Sequence, residues 1–303
     1  MQTNNITDPV PYHELIETFN DIVQNPSVVT SFNENTIISF VHHWQKYLKP
    51  QRMLLDCPDE KILVVGDVHG DLEQVKKALH FLDTRQVSKV VFDGDVIDRG
   101  IEMVECVMLI ATYQMMYPNE VFYLRGNHEI ASVNEVYGFR GYVTALFGSK
   151  TYGLFKKAFQ ELPLAMKLHD WAFITHGGVP KDQIYFHLMR LELKKKEPSM
   201  GPYSELLWND PHVSTQRFGP SFRGPYCYRF GKEVFDEFMD FHNLDLFVRA
   251  HQAYPLGYKW FFDDRLLSIF SSKAGPYSKI DPHFVILNKG NAELIDARTI
   301  ELE

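Results

Sequence analysis

The sequence has little of what marks secreted and membrane proteins. Its 303 residues include three cysteines, Cys57, Cys106 and Cys227, which form neither a C-x-x-C pair nor an even disulfide set. A reducing compartment is therefore expected. No apolar run reaches the length that crosses a bilayer, and the N-terminus shows no basic segment followed by an apolar stretch, as a signal peptide would. We expect a protein of the cytoplasm or nucleus with no membrane partner.

Positive charge and several catalytic motifs are also scarce. Lys and Arg number 31 against 39 Asp and Glu, and the formal net charge is −8. A nucleic-acid partner is not expected, because that surface would need a basic stripe. The chain has no G-x-x-x-x-G-K-[ST] loop, no G-x-S-x-G elbow and no cysteine followed six residues later by arginine. P-loop hydrolases, elbow-type serine hydrolases and cysteine-nucleophile phosphatases are therefore excluded.

What the chain does contain is enough apolar material for a sizeable core, arranged in alternating segments. Hydrophobic residues make up 45% of the sequence, as in ordinary globular domains. Short apolar runs at 62–65, 90–92 and 121–124 predict buried strands, and helical spacing at 72–82 and 103–117 predicts helices between them. Strand–helix–strand alternation favours an α/β architecture.

The remaining segments complete a two-part organisation. Residues 1–53 are predicted to form an N-terminal helical segment, helical from about 12 to 50, that packs on a catalytic domain of residues 54–303. Residues 200–230, rich in Gly, Pro and aromatics, are predicted to form a long loop. Further predicted elements are helices at 152–159 and 188–196 and strands at 172–175, 284–287 and 293–295.

Four glycine-flanked motifs each follow an apolar run. They are Gly66-Asp67-Val68-His69-Gly70, Gly94-Asp95-Val96-Ile97-Asp98-Arg99-Gly100, Gly126-Asn127-His128-Glu129 and His176-Gly177-Gly178. Residues two apart in an extended segment point to the same side, so Asp67 and His69 can reach one ion. Another apolar segment, 246–248, precedes His251. Strand after strand thus delivers a donor at its C-terminal end, where open α/β sheets place their sites.

The donor types indicate which metals would suit such a site. Carboxylate, imidazole and amide groups together suit iron, zinc or manganese better than calcium. A carboxylate such as that of Asp95 has two oxygens and can bridge two ions. The sequence therefore predicts a two-metal centre with an arginine, Arg99, beside it.

At this level of detail the chain resembles the phosphoprotein phosphatase family of serine/threonine phosphatases, which includes calcineurin and the type-1, type-2A and type-5 enzymes. The likeness runs from about residue 54 to about residue 294. Besides the four motifs it includes Leu124-Arg125 before the third motif, Ile130 through Tyr137-Gly138-Phe139, Leu206-Leu207-Trp208-Asn209-Asp210-Pro211 and Arg249-Ala250-His251.

The resemblance implies a calcineurin-like metallophosphoesterase fold of the α/β (α+β) class, a central β-sandwich flanked by helices. It implies two divalent metal ions, manganese or an iron/zinc pair, at the C-terminal edge of the sheet. The implied ligands are Asp67, His69 and Asp95 for the first ion and Asp95, Asn127, His176 and His251 for the second.

The resemblance also implies a reaction, the hydrolysis of phosphoserine and phosphothreonine esters in proteins. Two cations acidify a bridging water, and the resulting hydroxide attacks phosphorus in line without a covalent phosphoenzyme. Arg99 and Arg223, with Asn127 and His128, would bind the phosphoryl oxygens. His128 would protonate the leaving oxygen while Asp98 orients it. A structural salt bridge is the alternative role for Arg99.

Three positions depart from the family pattern. Asn209 stands where the family has serine in Trp-Ser-Asp-Pro, and the loop that begins at Arg223 is one residue longer than usual. The family's Ser-Ala-Pro-Asn-Tyr is replaced by Ser271-Ser272-Lys273-Ala274-Gly275-Pro276-Tyr277. Tyr277 is the candidate for the family's active-site tyrosine.

Two alternatives remain open from the sequence. A diadenosine-tetraphosphate hydrolase of the same superfamily shares the first two motifs but lacks the Leu-Leu-Trp-x-Asp-Pro stretch. A catalytically weak scaffold of the same fold would lack a ligand, and no ligand is missing. The expected partners are phosphoprotein substrates, with regulatory subunits as further candidates.

Overall fold

A computed structural model of the protein describes residues 15–58, 60–181 and 201–302. Its helices are α1 (Leu15–Gln24), α2 (Glu34–Leu48), α3 (Leu72–Asp83), α4 (Met103–Met116), α5 (Ala131–Tyr137), α6 (Phe139–Phe159), α7 (Pro202–Trp208) and α8 (Lys232–His242). Short 3₁₀ helices cover Pro26–Ser31, Gly275–Tyr277 and Ala297–Thr299. Among these described helices, none combines the length and apolar character needed to cross a bilayer.

The strands of the described residues fall into three sheets. They are β1 (Leu54–Cys57), β2 (Ile62–Val65), β3 (Lys89–Phe92), β4 (Val121–Tyr123), β5 (Ala165–Leu168), β6 (Ala172–Thr175), β7 (Asp210–Pro211), β8 (Phe218–Pro220), β9 (Tyr228–Phe230), β10 (Leu246–Arg249), β11 (Tyr258–Phe261), β12 (Leu266–Ile269), β13 (His283–Asn288) and β14 (Asn291–Asp296). The sheet orders are β1-β5-β6-β10-β12-β11, β14-β13-β2-β3-β4 and β7-β9-β8.

The two larger sheets pack face to face around an apolar core, which confirms the predicted sandwich. Side chains from both inner faces form one buried cluster that includes Ile62, Val64, Val91, Ile174, Val248 and Leu267. The outer face of the five-stranded sheet packs on a cluster that contains residues of α2, α3 and α4. The outer face of the six-stranded sheet packs on α8. Helices therefore flank the sandwich on both sides.

Strand direction explains where the polar motifs meet. In the five-stranded sheet β2 and β4 both run parallel to β3, and in the six-stranded sheet β6 and β12 both run parallel to β10. The strands β2 and β3 end in buried apolar residues just before the first two motifs. Parallel strands finish at the same edge, so the loops that follow them converge there.

The N-terminal helices pack on the same core as the catalytic strands. Residues of α1 and α2 share a buried cluster with α4, and the Trp44 indole donates a buried 2.8 Å hydrogen bond to Gln114. The helical segment predicted for residues 12–50 thus consists of two helices with a 3₁₀ helix between them, and residues 12–14 lie outside the described part. The division at residue 53 stays a prediction.

Three predictions for the middle of the chain have different outcomes. The long loop predicted for residues 200–230 is wrong, because this segment holds α7 and the three-stranded sheet. The strands of this small sheet are two or three residues long, and β7 pairs with β9, which begins 17 residues after β7 ends. Strands this short show no alternating apolar pattern in the sequence. The helix predicted at 152–159 lies in the second part of α6, which follows a kink at Gly148 (φ 85°, ψ 162°). The helix predicted at 188–196 lies outside the described residues.

Candidate active site

The candidate ligands form two overlapping groups at the converging strand ends. Ligand atoms of His69, Asp95 and His128 lie within 4.8 Å of one another, as do those of Asp95, His176 and His251. Asp95 belongs to both groups, as expected for a carboxylate that bridges two ions. The His176 Nε2 atom lies 3.3 Å from Asp95 Oδ2.

The other two predicted ligands join the same cluster. Asp67 Oδ2 lies 3.5 Å from His69 Nε2, and Asp67 Oδ1 accepts a 2.7 Å hydrogen bond from the His251 backbone N–H. Asn127 Oδ1 lies 3.0 Å from His176 Nε2. The structure therefore brings together all six side chains that the sequence singled out as ligands.

Hydrogen bonds on the far side of the imidazoles set their orientation. His69 Nδ1 donates to the Ile97 carbonyl at 2.9 Å, and His176 Nδ1 donates to the Asp93 carbonyl at 2.7 Å. A carbonyl can only accept, so each Nδ1 carries the proton. In the neutral ring the Nε2 lone pair then faces the cluster, the usual arrangement around a bound metal.

The backbone of the site is held in a conformation that most residues avoid. Five of its non-glycine residues have positive φ angles: His69 (48°), Asp95 (49°), Asp98 (69°), Arg99 (70°) and His251 (69°). Such left-handed conformations cost free energy and tend to cluster at functional sites. Here they turn the chain sharply after β2, β3 and β10, so that side chains from these loops reach the same cluster.

The electrostatics of the cluster favour a bound positive charge. Burial lowers the pKa of His176, but the carboxylates of Asp95, Asp67 and Asp93 together outweigh burial and raise that pKa to about 10. Burial raises the pKa of Asp95, yet the charges of His176 and His128 lower it far below its usual range. The negative charges of the cluster thus hold a proton tightly, and they would attract a metal cation in the same way.

His251 provides a direct test of whether a metal fits. Burial, with a contribution from Arg223, lowers the pKa of His251 well below its usual value. Its Nε2 atom is buried and has no hydrogen-bond partner among the described residues. A buried nitrogen without a partner is costly, and a metal ion would use its lone pair. The donor set and this bare nitrogen both fit a metal centre.

The predicted catalytic groups stand around the cluster. A cavity is lined by Asp67, His69, Asp95, Arg99, Asn127, His128, Arg223, His251 and Tyr277, together with Tyr137, Trp208, Ala253 and Phe270. His176 and Asp98 are fully buried behind this lining. His128 Nδ1 lies 2.6 Å from Asp98 Oδ2, as the predicted orienting role requires.

Different contacts hold the two predicted arginines, Arg99 and Arg223, in place. The Arg99 guanidinium lies 4.0 Å from the centre of the Tyr137 ring, and no carboxylate of the described residues pairs with it. The structural salt bridge considered for Arg99 is therefore not formed within that part of the chain. Arg223 lines the cavity; its Nε donates to Asp210 Oδ2 at 2.5 Å and one terminal nitrogen donates to the His251 carbonyl at 3.4 Å.

Tyr277 lines the cavity although its loop departs from the family pattern. Its ring stacks on His69 with centroids 5.2 Å apart and an interplanar angle of 17°. The loop is attached to the first motif, since the Lys273 backbone N–H donates to Asp71 Oδ2 at 2.8 Å. Burial raises the pKa of the Tyr277 hydroxyl, so that hydroxyl stays protonated and can donate a hydrogen bond.

Some residues that shape the site had no role in the sequence prediction. The buried Glu129 carboxylate accepts hydrogen bonds from the backbone N–H groups of Asp95, Val96 and Gly126 and from the Tyr123 hydroxyl, at 2.7–3.0 Å. It ties the second motif to the third. In the sequence, only its position directly after Asn127-His128 indicated that Glu129 belongs to the site. Tyr137 and Asp210, which hold the arginines, also lie in stretches that carried the resemblance.

The departure at Asn209 lies away from the cavity. This side chain is fully buried; its amide donates to the Val179 carbonyl and accepts from the Tyr228 N–H, both at 2.8 Å. Asn209 therefore ties the start of β9 to the loop after β6, and the substitution leaves the cavity lining unchanged.

Comparison with known proteins agrees with this geometry. The profile of the family described as calcineurin-like phosphoesterase matches residues 60–255. The structure is similar to that of a protein serine/threonine phosphatase from Saccharomyces cerevisiae with similarity to human phosphatase PP5. The TM-score is 0.80 at 22% identity, over 92% of this chain and 96% of that one. A cold-active protein-tyrosine phosphatase of a psychrophilic Shewanella species gives a TM-score of 0.56 at 15% identity, over 83% of this chain and 82% of that one.

Proposed function

Because this chain belongs to the calcineurin-like phosphoesterase family, we propose that it is a metal-dependent serine/threonine protein phosphatase. One observation carries the proposal: Arg99, Arg223 and His128 line the same cavity as the ligand cluster. Two arginines suit the oxygens of a phosphoryl group. An imidazole backed by a carboxylate suits the protonation of an alkoxide leaving group.

The proposed metal ligands are the six side chains of the cluster, with Asp95 shared between two ions. Divalent cations bound there, manganese or an iron/zinc pair, would supply Lewis acidity that makes hydroxide available near neutral pH. The residues that would hold them are Asp67, His69 and Asp95 on one side and Asp95, Asn127, His176 and His251 on the other.

The chain's own residues then have separate duties in the reaction. Arg99, fixed against the Tyr137 ring, and Arg223, fixed by Asp210, bind phosphoryl oxygens, and Asn127 and His128 add donors. As hydroxide attacks phosphorus, the bond between phosphorus and the serine or threonine oxygen breaks. His128 gives its Nε2 proton to that oxygen, while the Asp98 carboxylate stabilises the imidazolium. The products are inorganic phosphate and the free hydroxyl side chain.

The proposal is tested by comparing substrates on one preparation. Purified protein with Mn²⁺ is given phosphoserine, phosphothreonine and phosphotyrosine forms of one peptide, and separately diadenosine tetraphosphate. We expect the highest kcat/KM on the phosphoserine and phosphothreonine peptides, and loss of turnover in Asp95→Asn. Preference for the phosphotyrosine peptide or the dinucleotide would replace the proposed substrate class. No turnover of any of them would favour a scaffold.

A further inference from the structure

A second cavity, of about 410 Å³, lies beside the catalytic cavity. The lining of this side groove includes Asp71, Gln74, Arg99, Ile101, Glu102 and Lys273. Arg99, one of the two arginines proposed to bind phosphate, lines both cavities. The side groove therefore adjoins the place of the phosphoryl group, and residues that neighbour a phosphorylated side chain in a substrate can reach it.

A buried hydrogen-bond acceptor without a partner belongs to the wall of the side groove. Gln74, on α3, is 2% exposed, and its Oε1 atom has no hydrogen-bond partner among the described residues. The backbone N–H of Gln74 is already used, since it donates to Asp71 Oδ1 at 3.4 Å. A buried amide oxygen without a donor costs free energy, so this wall favours a ligand that brings an N–H group.

The side groove also carries a carboxylate that is free to take a positive charge. Glu102 directly precedes α4, and no cation of the described residues lies within ion-pair distance of it. The other two acids of the lining are engaged. Glu73 pairs with Lys77 at 2.7 Å, and the Asp71 carboxylate accepts backbone N–H groups of Gln74 and Lys273. Glu102 is therefore the acid of the lining that remains available to a ligand.

The rim of the side groove suits a long side chain with a charged end. Ile101, next to Glu102, is 79% exposed and offers apolar surface to the methylene groups of an arginine or lysine. The positive charges of the lining are Arg99, which serves the phosphate in the proposed reaction, and the exposed Lys273.

We propose that the side groove binds an arginine or lysine side chain of the substrate protein, from a residue close in sequence to the phosphorylated serine or threonine. The inference rests on the proposed function, because it names which phosphoproteins the same catalytic site prefers. The Glu102 carboxylate and Gln74 Oε1 accept hydrogen bonds, and a guanidinium or ammonium group only donates them. An acidic side chain at the same place would be repelled by Glu102.

The test uses phosphoserine peptides with full-length protein and Mn²⁺. A single arginine is moved stepwise through the residues before and after the phosphoserine, and the all-alanine peptide is the reference. We expect kcat/KM for the best arginine peptide to exceed the reference by about 3–30-fold, the range from an exposed ion pair to a charge-assisted hydrogen bond. This ratio should fall in Glu102→Gln and in Gln74→Leu. Glu102→Lys should instead favour glutamate at that position, which a general disturbance of Arg99 would not produce.

Glu120→Gln is the matched control. Glu120 carries the same charge as Glu102, but it pairs with Arg85 at 3.0 Å and belongs to the lining of neither cavity. Its variant should keep the wild-type ratio. A wild type that prefers arginine at no position, or a ratio that Glu102→Gln leaves unchanged, overturns the inference alone. A wild type that hydrolyses no phosphopeptide overturns the proposed function and this inference with it.

Discussion

His128 and Asp98 form a close side-chain pair at the cavity, with 2.6 Å between Nδ1 and Oδ2. The second Asp98 oxygen accepts a 2.9 Å hydrogen bond from the Phe139 N–H, in the first turn of α6, where the helix dipole favours an anion. Asp98 is therefore held on two sides, and it sets the orientation of the His128 ring. The Nε2 atom of that ring is left to act in the cavity.

This pair predicts a separation between catalysis and metal binding. His128→Asn should lower kcat on a phosphopeptide by about 10²–10⁴-fold, the usual contribution of a general acid, and keep the bound Mn²⁺. Asp95→Asn should lose both. The measurements are steady-state kinetics and metal analysis of the same preparations. Loss of Mn²⁺ from His128→Asn would instead make His128 a ligand, as its proximity to His69 and Asp95 allows.

Gly275 should be required for activity because its loop touches Arg99. Its φ angle is +53°, and a Cβ atom there would lie 2.5 Å from the Arg99 carbonyl oxygen. Gly275→Ala must therefore move Arg99 or Tyr277, and kcat/KM should fall by about tenfold to a hundredfold. Gly290→Ala is the control, since Gly290 also has positive φ (+78°) but nothing within 4 Å. Equal kinetic effects of the two variants would count against this role of the loop.

Asp210 should matter for stability as well as for activity. It is buried and holds both Arg223 and the fully buried Arg249. Asp210→Ala leaves the Arg249 charge without its carboxylate, which should lower the free energy of unfolding by about 3–5 kcal/mol. Urea denaturation of metal-free protein measures this. Arg217→Ala, which removes exposed ion pairs, should change little; a similar loss in both would contradict the prediction.

His242 should make stability depend on pH, away from the active site. Burial, aided by the charge of Lys167, lowers its pKa from 6.5 to about 4. Between these values the unfolded chain binds a proton that the folded chain does not, so this contribution to stability is present above pH 6.5 and is lost as the pH falls toward 4. His242→Gln should show a weaker loss of stability across that window. If wild type and His242→Gln gave parallel curves of unfolding free energy against pH, the prediction for His242 would be refuted.

Much of the fold followed from short-range patterns. The apolar runs 62–65 and 90–92 mark β2 and β3 because both faces of these strands are buried, and a glycine within two residues of each strand end lets the chain turn into its motif. The α3 and α4 helices were predicted within one residue of their observed ends. By contrast, α7 and the strands β7, β8 and β9 were missed, because α7 has only seven residues and the strands only two or three, too few to show a periodic apolar pattern.

The ligand inventory of the site could be read from residue order alone, since each ligand follows its own strand and parallel strands share an edge. Only the tertiary structure decided how these loops support one another. Asp67 is hydrogen-bonded to His251, 184 residues later in the sequence, and Gly66 is hydrogen-bonded to Ser271, 205 residues later. The positions of Tyr277 and Arg223 and the hydrogen bonds of Glu129 likewise depend on packing between distant segments. No local pattern of residues records such contacts, because their geometry exists only when the sheets have come together.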